Sequence, residues 1–276
     1  MGASSMLALM LLLQQSPALI QSPVRDGLAE YGRKNYDHAV ELLLPAIPSL
    51  KPGTGAYNES VLALGQSYFL TGKFGDSIPW LEKRVENKPR PEVEYMLVQA
   101  CLQVGQVDKA RAVLAKLYNT SPDSAAAWSL TGRMLVRLAR NKDALQQLER
   151  AAEIDPKHAD TWLMLGELNH SMGQAETAVK QFQTAIQLDP VSPAAWLGLG
   201  EALSKLERWT DAIPALQKSI WLNPHIAPPY AALGKAYLRV KSYPNAETML
   251  RKALELDPKN ATASNLLQQT LRQANR

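Results

Sequence analysis

The sequence predicts an all-α, right-handed α-solenoid of about seven helix pairs plus a C-terminal capping helix, and three observations carry that prediction. Trp128, Trp162, Trp196 and Tyr230 stand 34 residues apart, and Gly132, Gly166, Gly200 and Gly234 keep the same step. Two further columns, Ala144, Ala178, Ala212 and Ala246, and Pro122, Pro156, Pro190, Pro224 and Pro258, hold it as well. A fixed period of this length marks stacked supersecondary units that bury their apolar faces only against one another. Finally, the spacing inside one period, Ala159–Ser192, is helical twice over. Trp162, Leu165, Gly166 and Asn169 fall three and four apart on one face, Gly173 breaks the run, and Ala178, Phe182 and Ala185 form a second face. Gly166 and Ala178 are small where two helices must cross closely. Asp189-Pro190 ends the second helix, because proline brings no N–H and pushes the residue before it out of the helical region.

On these residues the chain resembles the tetratricopeptide repeat family, whose pattern is an aromatic, Leu-Gly and Tyr in the first helix and Ala, Phe, Ala and Pro in the second. Trp162, Leu165, Gly166, Ala178, Phe182, Ala185 and Pro190 carry it in one unit. Tyr230, Leu233, Gly234, Tyr237, Tyr243, Ala246, Leu250, Ala253 and Pro258 carry it in another. The resemblance is specific for fold. It says little about function, since the family is defined by packing residues.

Taken in order, residues 1–23 hold no charged side chain, and Met6–Leu13 is an apolar run too short to span a bilayer. It suits the core of an export signal, with Ser16-Pro17-Ala18 offering small residues for cleavage near Ala18, although the leading MGASS carries no Lys or Arg. An apolar helix capping the first repeat and a misplaced start are the competing readings. The expectation is export to the periplasm or outside the cell, with the cytoplasm as the alternative. Residues 24–57 read as a degenerate unit without the Trp-Leu-Gly signature. Pro45, Pro48 and Pro52-Gly53-Thr54-Gly55 give it a long connection to the next. Residues 58–90 form a unit one residue short of the period, with Val61, Leu64, Gly65 and Tyr68 in its first helix. Residues 91–124 form the next, with Val98 in the glycine column and Cys101 on the inward face. Residues 125–158, 159–192, 193–226 and 227–260 are regular units. In them the family's usual Tyr is replaced by Leu135, Asn169 and Leu203, and a buried Asn169 needs a hydrogen-bond partner. Residues 261–276 make one last helix, polar on one side as a cap must be.

The chemistry is as informative by omission. A net charge of +4 comes from interleaved Lys/Arg and Asp/Glu without a basic cluster, so nucleic acid is not an expected partner. The sequence has no phosphate loop, no Gly-rich dinucleotide turn, no H-E-x-x-H, no C-x-x-C and no nucleophile elbow. No cofactor and no catalytic role are expected. Cys101 is the single cysteine and reads as a buried structural thiol. The tryptophans sit at packing positions, and the four histidines are scattered.

What remains is an interaction surface. The resemblance implies that first helices line the inner side of the superhelix. With Trp162 at unit position 4, positions 4, 7, 8 and 11 point into the packing. At about 100° per residue, positions 2, 5, 9, 12 and 13 point roughly 130° away. The groove candidates are Tyr95, Gln99, Ser129, Arg133, Arg137, Leu163, Glu167, His170, Leu197, Glu201, Lys205, Lys235 and Arg239. Members of the family that clamp the C-terminal carboxylate of heat-shock chaperones carry Lys at position 5 and Asn at positions 6 and 9. Ser129, Leu130 and Arg133, and their counterparts Leu163, Met164 and Glu167, depart from that pattern, so this ligand is not expected. The expected function is a non-catalytic scaffold holding a peptide or protein segment. The repeat arm of a larger enzyme and a self-associating structural protein are the alternatives. By sign, Arg133 and Arg137, then Glu167 and Glu201, then Lys235 and Arg239 predict a groove that is basic, acidic and basic in turn, with an acidic patch of the partner on Arg133 and Arg137.

Overall fold

The computed structural model describes residues 22–87 and 89–275. The apolar run Met6–Leu13 and the cleavage point at Ala18 lie outside the described residues. Among those described, every regular element is helical, and no strand is present. The helices pair along the chain: α1 (Ser22–Gly32) with α2 (Tyr36–Ala46), α3 (Gly55–Leu70) with α4 (Phe74–Asn87), α5 (Pro91–Gln103) with α6 (Val107–Leu117), and α7 (Ala125–Arg137) followed by α8 (Asn141–Ile154). They continue as α9 (Ala159–Ser171) with α10 (Ala175–Leu188), α11 (Pro193–Lys205) with α12 (Trp209–Leu222), and α13 (Ala227–Arg239) with α14 (Tyr243–Leu256). Helix α15 (Ala261–Ala274) stands last and packs on both α13 and α14.

The chain divides into two compact units at Met134/Leu135. In the first, the helices α1 to α6 pack in succession, ending with α5 on α6, and α1 also touches α3. In the second, successive helices pack in the same way, and the odd-numbered helices touch one another in a row, α9 on α11, α11 on α13 and α13 on α15. That row positions the candidate site.

Three recurring devices build the pairs. The first is the close crossing. A methyl group added to Gly166 would stand 2.7 Å from the Phe182 ring, at Gly200 2.5 Å from Leu216, and at Gly234 2.6 Å from Leu250. The same contact recurs in the first unit, Gly65 against Leu81 at 2.8 Å and Gly27 against Leu43 at 2.7 Å. In each case the partner is sixteen residues further on. Phe182, 1% exposed, is larger than the leucine that fills this place elsewhere, and it takes a second glycine: Gly198 of α11 also lies against its ring.

The second device is the turn inside each pair. Residue 15 of the unit has positive φ throughout: Gly72, Gly105 and Gly173 at 76–85°, but also Lys34, Ala139, Glu207 and Lys241 at 56–67°. Glycine adopts this conformation without steric cost, whereas an L-side chain crowds its own carbonyl there. Lys34 and Gly27 together set the register of the first pair. This pair, too, carries the crossing glycine.

The third device joins one pair to the next. The second helix ends at Asp155, Asp189, Asn223 and Asp257, whose side chains accept the N–H two residues on at 3.1–3.2 Å, closing a local turn. The proline that follows has no donor but keeps a carbonyl. The indole N–H of Trp162 donates to Pro156 O at 2.8 Å, that of Trp196 to Pro190 O at 2.9 Å, and the Tyr230 hydroxyl to Pro224 O at 3.2 Å. The aromatic and proline columns are therefore the two halves of one hydrogen bond. In the first unit the bond is made differently. Arg111 Nε donates to Pro122 O at 3.0 Å, and its guanidinium lies 3.7 Å from the centre of the Trp128 ring.

Cys101 is fully buried on α5, as expected, and burial pushes its thiol up to about 11. Asn169 is buried too, and its amide N–H2 donates to Gln181 Oε1 at 2.9 Å and to Leu165 O at 3.1 Å, while its Oδ1 has no hydrogen-bond partner among the described residues.

Candidate functional site

Each odd-numbered helix presents a buried arc wider than the one predicted. Besides positions 7 and 8, positions 3 and 10 are buried: Ala127, Thr161 and Ala195, and Met134, Leu168, Ala202 and Ala236. In the second unit these helices pack on both their own partner and the next odd-numbered helix, and two contacts cover more of the cylinder than one. From α7 to α13 positions 2 and 13 are open, position 9 is exposed at Arg133, Glu167 and Lys235 and half-buried at Glu201, and positions 5 and 12 range from buried at Ser129 and Leu238 to exposed at Val136.

In the first unit Tyr95 and Gln99 are half-buried, and Tyr95 meets Tyr118 edge-on with their hydroxyls hydrogen-bonded. Arg133 is exposed. Ser129 departs from expectation: at 6% exposure it offers no surface. Its column is half-buried at Leu163, Leu197 and Ala231 as well.

In the second unit Arg137, Glu167, Lys205, Lys235 and Arg239 are exposed, and Leu163 and Leu197 pack against the core around Phe182. Lys235 and Arg239 both lie over the Trp209 ring, 5.8 and 5.5 Å from its centre. The structure brings four of the candidates together. His170 of α9, Glu201 and Lys205 of α11 and Lys235 of α13 line one cleft of about 420 Å³, closed on the far side by Asn260, Thr262 and Leu266 at the start of α15. Ser204, Pro228, Ala231 and Ala232 complete the lining. Most of these additions sit at positions 2, 5 and 12, so the register rule contained them. Ala232, Asn260 and Leu266 lie outside it; the last two are not expected because the last helix reads from sequence as a cap and not as a wall.

The cleft mixes charge where the sequence separates it. Glu201, expected in an acidic stretch, shares the cleft with Lys205 and Lys235. Burial raises its carboxyl pKa, and the nearby Lys235 ammonium pulls the other way without cancelling the effect. Burial also lowers the His170 imidazole, helped by Lys205, so it is neutral at pH 7. Its Nδ1 is buried without a hydrogen-bond partner among the described residues. Neither lysine is ion-paired among them. The described residues include no cluster of His, Cys, Asp and Glu able to hold a metal ion, and no helix among them is long and apolar enough to cross a membrane. The cleft thus offers two ammonium groups, one carboxyl group, an imidazole and short polar side chains, with an apolar part to its lining. These are groups that bind a polar chain by charge and hydrogen bonds.

Comparison with known proteins agrees with this architecture. A sequence profile described as tetratricopeptide repeat matches residues 95–159 and 163–232, and a second profile of that description matches residues 227–260. No curated protein sequence matches the chain. Among solved structures, the anaphase-promoting complex hetero-tetramer Cut9–Hcn1 is similar over 97% of this chain, with 19% identity and a TM-score of 0.55. This chain spans about half of it, 52% of its length. MamA is similar over 60% of this chain and 96% of its own, with 24% identity and a TM-score of 0.51. YrrB, described as a TPR protein with an unusual peptide-binding site, is similar over 67% of this chain and 96% of its own, with 20% identity and a TM-score of 0.51. At these identities the likeness is one of fold.

Proposed function

Because the chain belongs to the tetratricopeptide repeat family, we propose that it is a non-catalytic interaction scaffold, and that the second unit holds an extended segment of a protein partner along its row of odd-numbered helices. One observation carries this reading. Four successive helices of that row contribute side chains at unit positions 2, 5, 9, 12 and 13 to a single open cleft. A side chain that projects from one helix to solvent needs no explanation. A continuous concavity built from four helices presents polar groups at regular intervals, as an extended backbone does.

The experiment is selection of binding peptides from a random library on the purified chain, followed by mapping with hydrogen exchange. Protection confined to α9, α11, α13 and α15, lost on substitution of Lys235 and Arg239 by Glu, is the expected result. Peptides that protect only the even-numbered helices, or no selected peptide at all, would overturn it.

Export rests on the uncharged start of the chain and its Met6–Leu13 run. Sequencing the mature N-terminus should find it cut near Ala18, and an intact Met1 in a cytoplasmic fraction would refute that part of the proposal.

A further inference from the structure

The reading above leaves the ligand's chemistry unspecified. We infer that the cleft takes an extended peptide through an acidic side chain held between Lys205 and Lys235, and that Glu201 limits how much negative charge the cleft accepts. The inference rests on the proposed groove and goes beyond it in naming what the groove selects.

The argument is one of complementarity. Lys205 and Lys235 come from neighbouring helices, α11 and α13, and line the same concavity. Cations on adjacent helices repel one another, and among the described residues neither is relieved by an ion pair. A ligand carboxylate placed between them removes that repulsion. Glu201 is the single carboxylate in the lining, half-buried, and is too few charges to neutralise both. The lining also has an apolar part, at Ala231, Ala232 and Leu266. In an extended chain, side chains two residues apart point the same way, about 7 Å from one another. A segment that alternates acidic and small apolar residues on its two sides can present carboxylates to the lysines while its backbone crosses the cleft.

Glu201 opposes such a ligand while it is ionised. Its carboxyl pKa already lies above the ordinary value, and a bound carboxylate raises it further. Protonation therefore favours binding. His170 acts in the same direction, since protonating it adds positive charge beside Lys205. The charged and titratable groups lining the cleft are these four: His170 from α9, Glu201 and Lys205 from α11, and Lys235 from α13. Affinity for an acidic peptide should rise as pH falls below neutrality, until the peptide's own glutamates protonate near roughly pH 4.3.

The test uses three short fluorescent peptides and the full chain at low salt. One alternates Ala and Glu with both ends capped. Another alternates Ala and Gln with both ends capped, and the last is the Ala–Gln peptide with a free C-terminal carboxylate. Anisotropy should show the Ala–Glu peptide binding at least about tenfold more tightly than capped Ala–Gln, with a difference that shrinks as salt is added. Lys205→Gln with Lys235→Gln should abolish the difference. Glu201→Gln should tighten Ala–Glu about threefold or more, leave Ala–Gln unchanged, and remove the glutamate's share of the pH dependence. All three positions keep part of their surface in solvent, so unchanged helicity is expected and is checked first. Equal binding of the two capped peptides, both lost in the lysine variant, would overturn acidic selection and leave the groove intact. Equal binding of Ala–Glu and free-ended Ala–Gln would assign the lysines to a chain terminus and overturn the side-chain assignment. If none of the peptides binds, or if Glu201→Gln weakens Ala–Glu, the inference fails.

Discussion

The two compact units solve one problem in two ways. Both close their helix pairs with a glycine against a residue sixteen further on, Gly27 and Leu43 or Gly65 and Leu81 in the first, Gly200 and Leu216 or Gly234 and Leu250 in the second. They differ in how one pair is fastened to the next. In the second unit the fastening is uniform, an aromatic donor to a proline carbonyl, at Trp162, Trp196 and Tyr230. In the first, Arg111 makes the bond to Pro122 and stacks on Trp128. The groove columns diverge as well. Position 9 is Gln66, Gln99 and Arg133 in one unit, and Glu167, Glu201 and Lys235 in the other. A packing rule can be strict while the joint varies: the Arg111–Pro122 joint keeps the 34-residue step from Val98 to Gly132 as well as the aromatic joints do. The period drifts only earlier in the first unit, in the short unit 58–90 and at the three-residue 3-10 turn Ile47–Ser49 that lengthens the connection before α3.

The comparison breaks most visibly at the glycine column. Gly200→Leu must drive a branched side chain into Leu216 and should cost about 3 kcal/mol or more. Val98→Leu, in the same column of the first unit, starts from a site that already holds a buried β-branched residue and should cost about 1 kcal/mol. Urea unfolding midpoints decide it, and equal losses would mean that the crossings are alike after all.

Gly198 gives a sharper result. Gly198→Met should cost about 3 kcal/mol because the Phe182 ring occupies the space, and Phe182→Leu in the same chain should recover all but about 1 kcal/mol. A double variant no more stable than the single would show that the ring is not the obstacle.

The joints come next in size. Trp196→Phe keeps the ring and loses the bond to Pro190, for a loss of about 1 kcal/mol. Trp128→Phe should cost about half of that or less, since Arg111 already serves Pro122 and stacks on either ring. Thermal melts of the two variants side by side would show the asymmetry, or its absence.

The smallest effect is a gain. Ala139→Gly and Lys34→Gly relieve a left-handed backbone at the turn and should stabilise by about 0.5 kcal/mol each, after the entropy that glycine adds to the unfolded chain. Loss of stability in both would show that something other than backbone strain sets residue 15.

Most of the fold was legible because the period, the aromatic column and the proline column are visible without knowing any contact. Gly27 is hidden from that reading because the first pair lacks the aromatic of the signature, and only the sixteen-residue step from glycine to leucine marks it. Gly198 is hidden for another reason: it compensates a phenylalanine in the preceding unit, and a compensation that occurs once leaves no period to detect. Within the site, helical geometry places columns 2 and 13 in solvent, and they are exposed from α7 to α13. It does not foresee the burial of Ser129 or the half-burial of Glu201, because direction on one helix says nothing of what the next helix covers. It also places Glu201 among acids. Sign patterns along a chain describe neighbours in sequence, whereas the charges that Glu201 meets come from the next turn and the next helix.

The solitary thiol on α5 makes the first unit a clock. Cys101 is fully enclosed, with a pKa of about 11 where an unfolded cysteine has roughly 8.5, so a thiol reagent at neutral pH reaches a thiolate only during an opening of α5. With one cysteine in the sequence, each chain gains one label or none, and the labelled fraction can be read by mass. At low reagent concentration the rate reports the equilibrium fraction of time that α5 spends open, and at high concentration it reports how often it opens. Adding a groove ligand then asks whether occupancy near α11 and α13 is felt at α5, without altering a single residue.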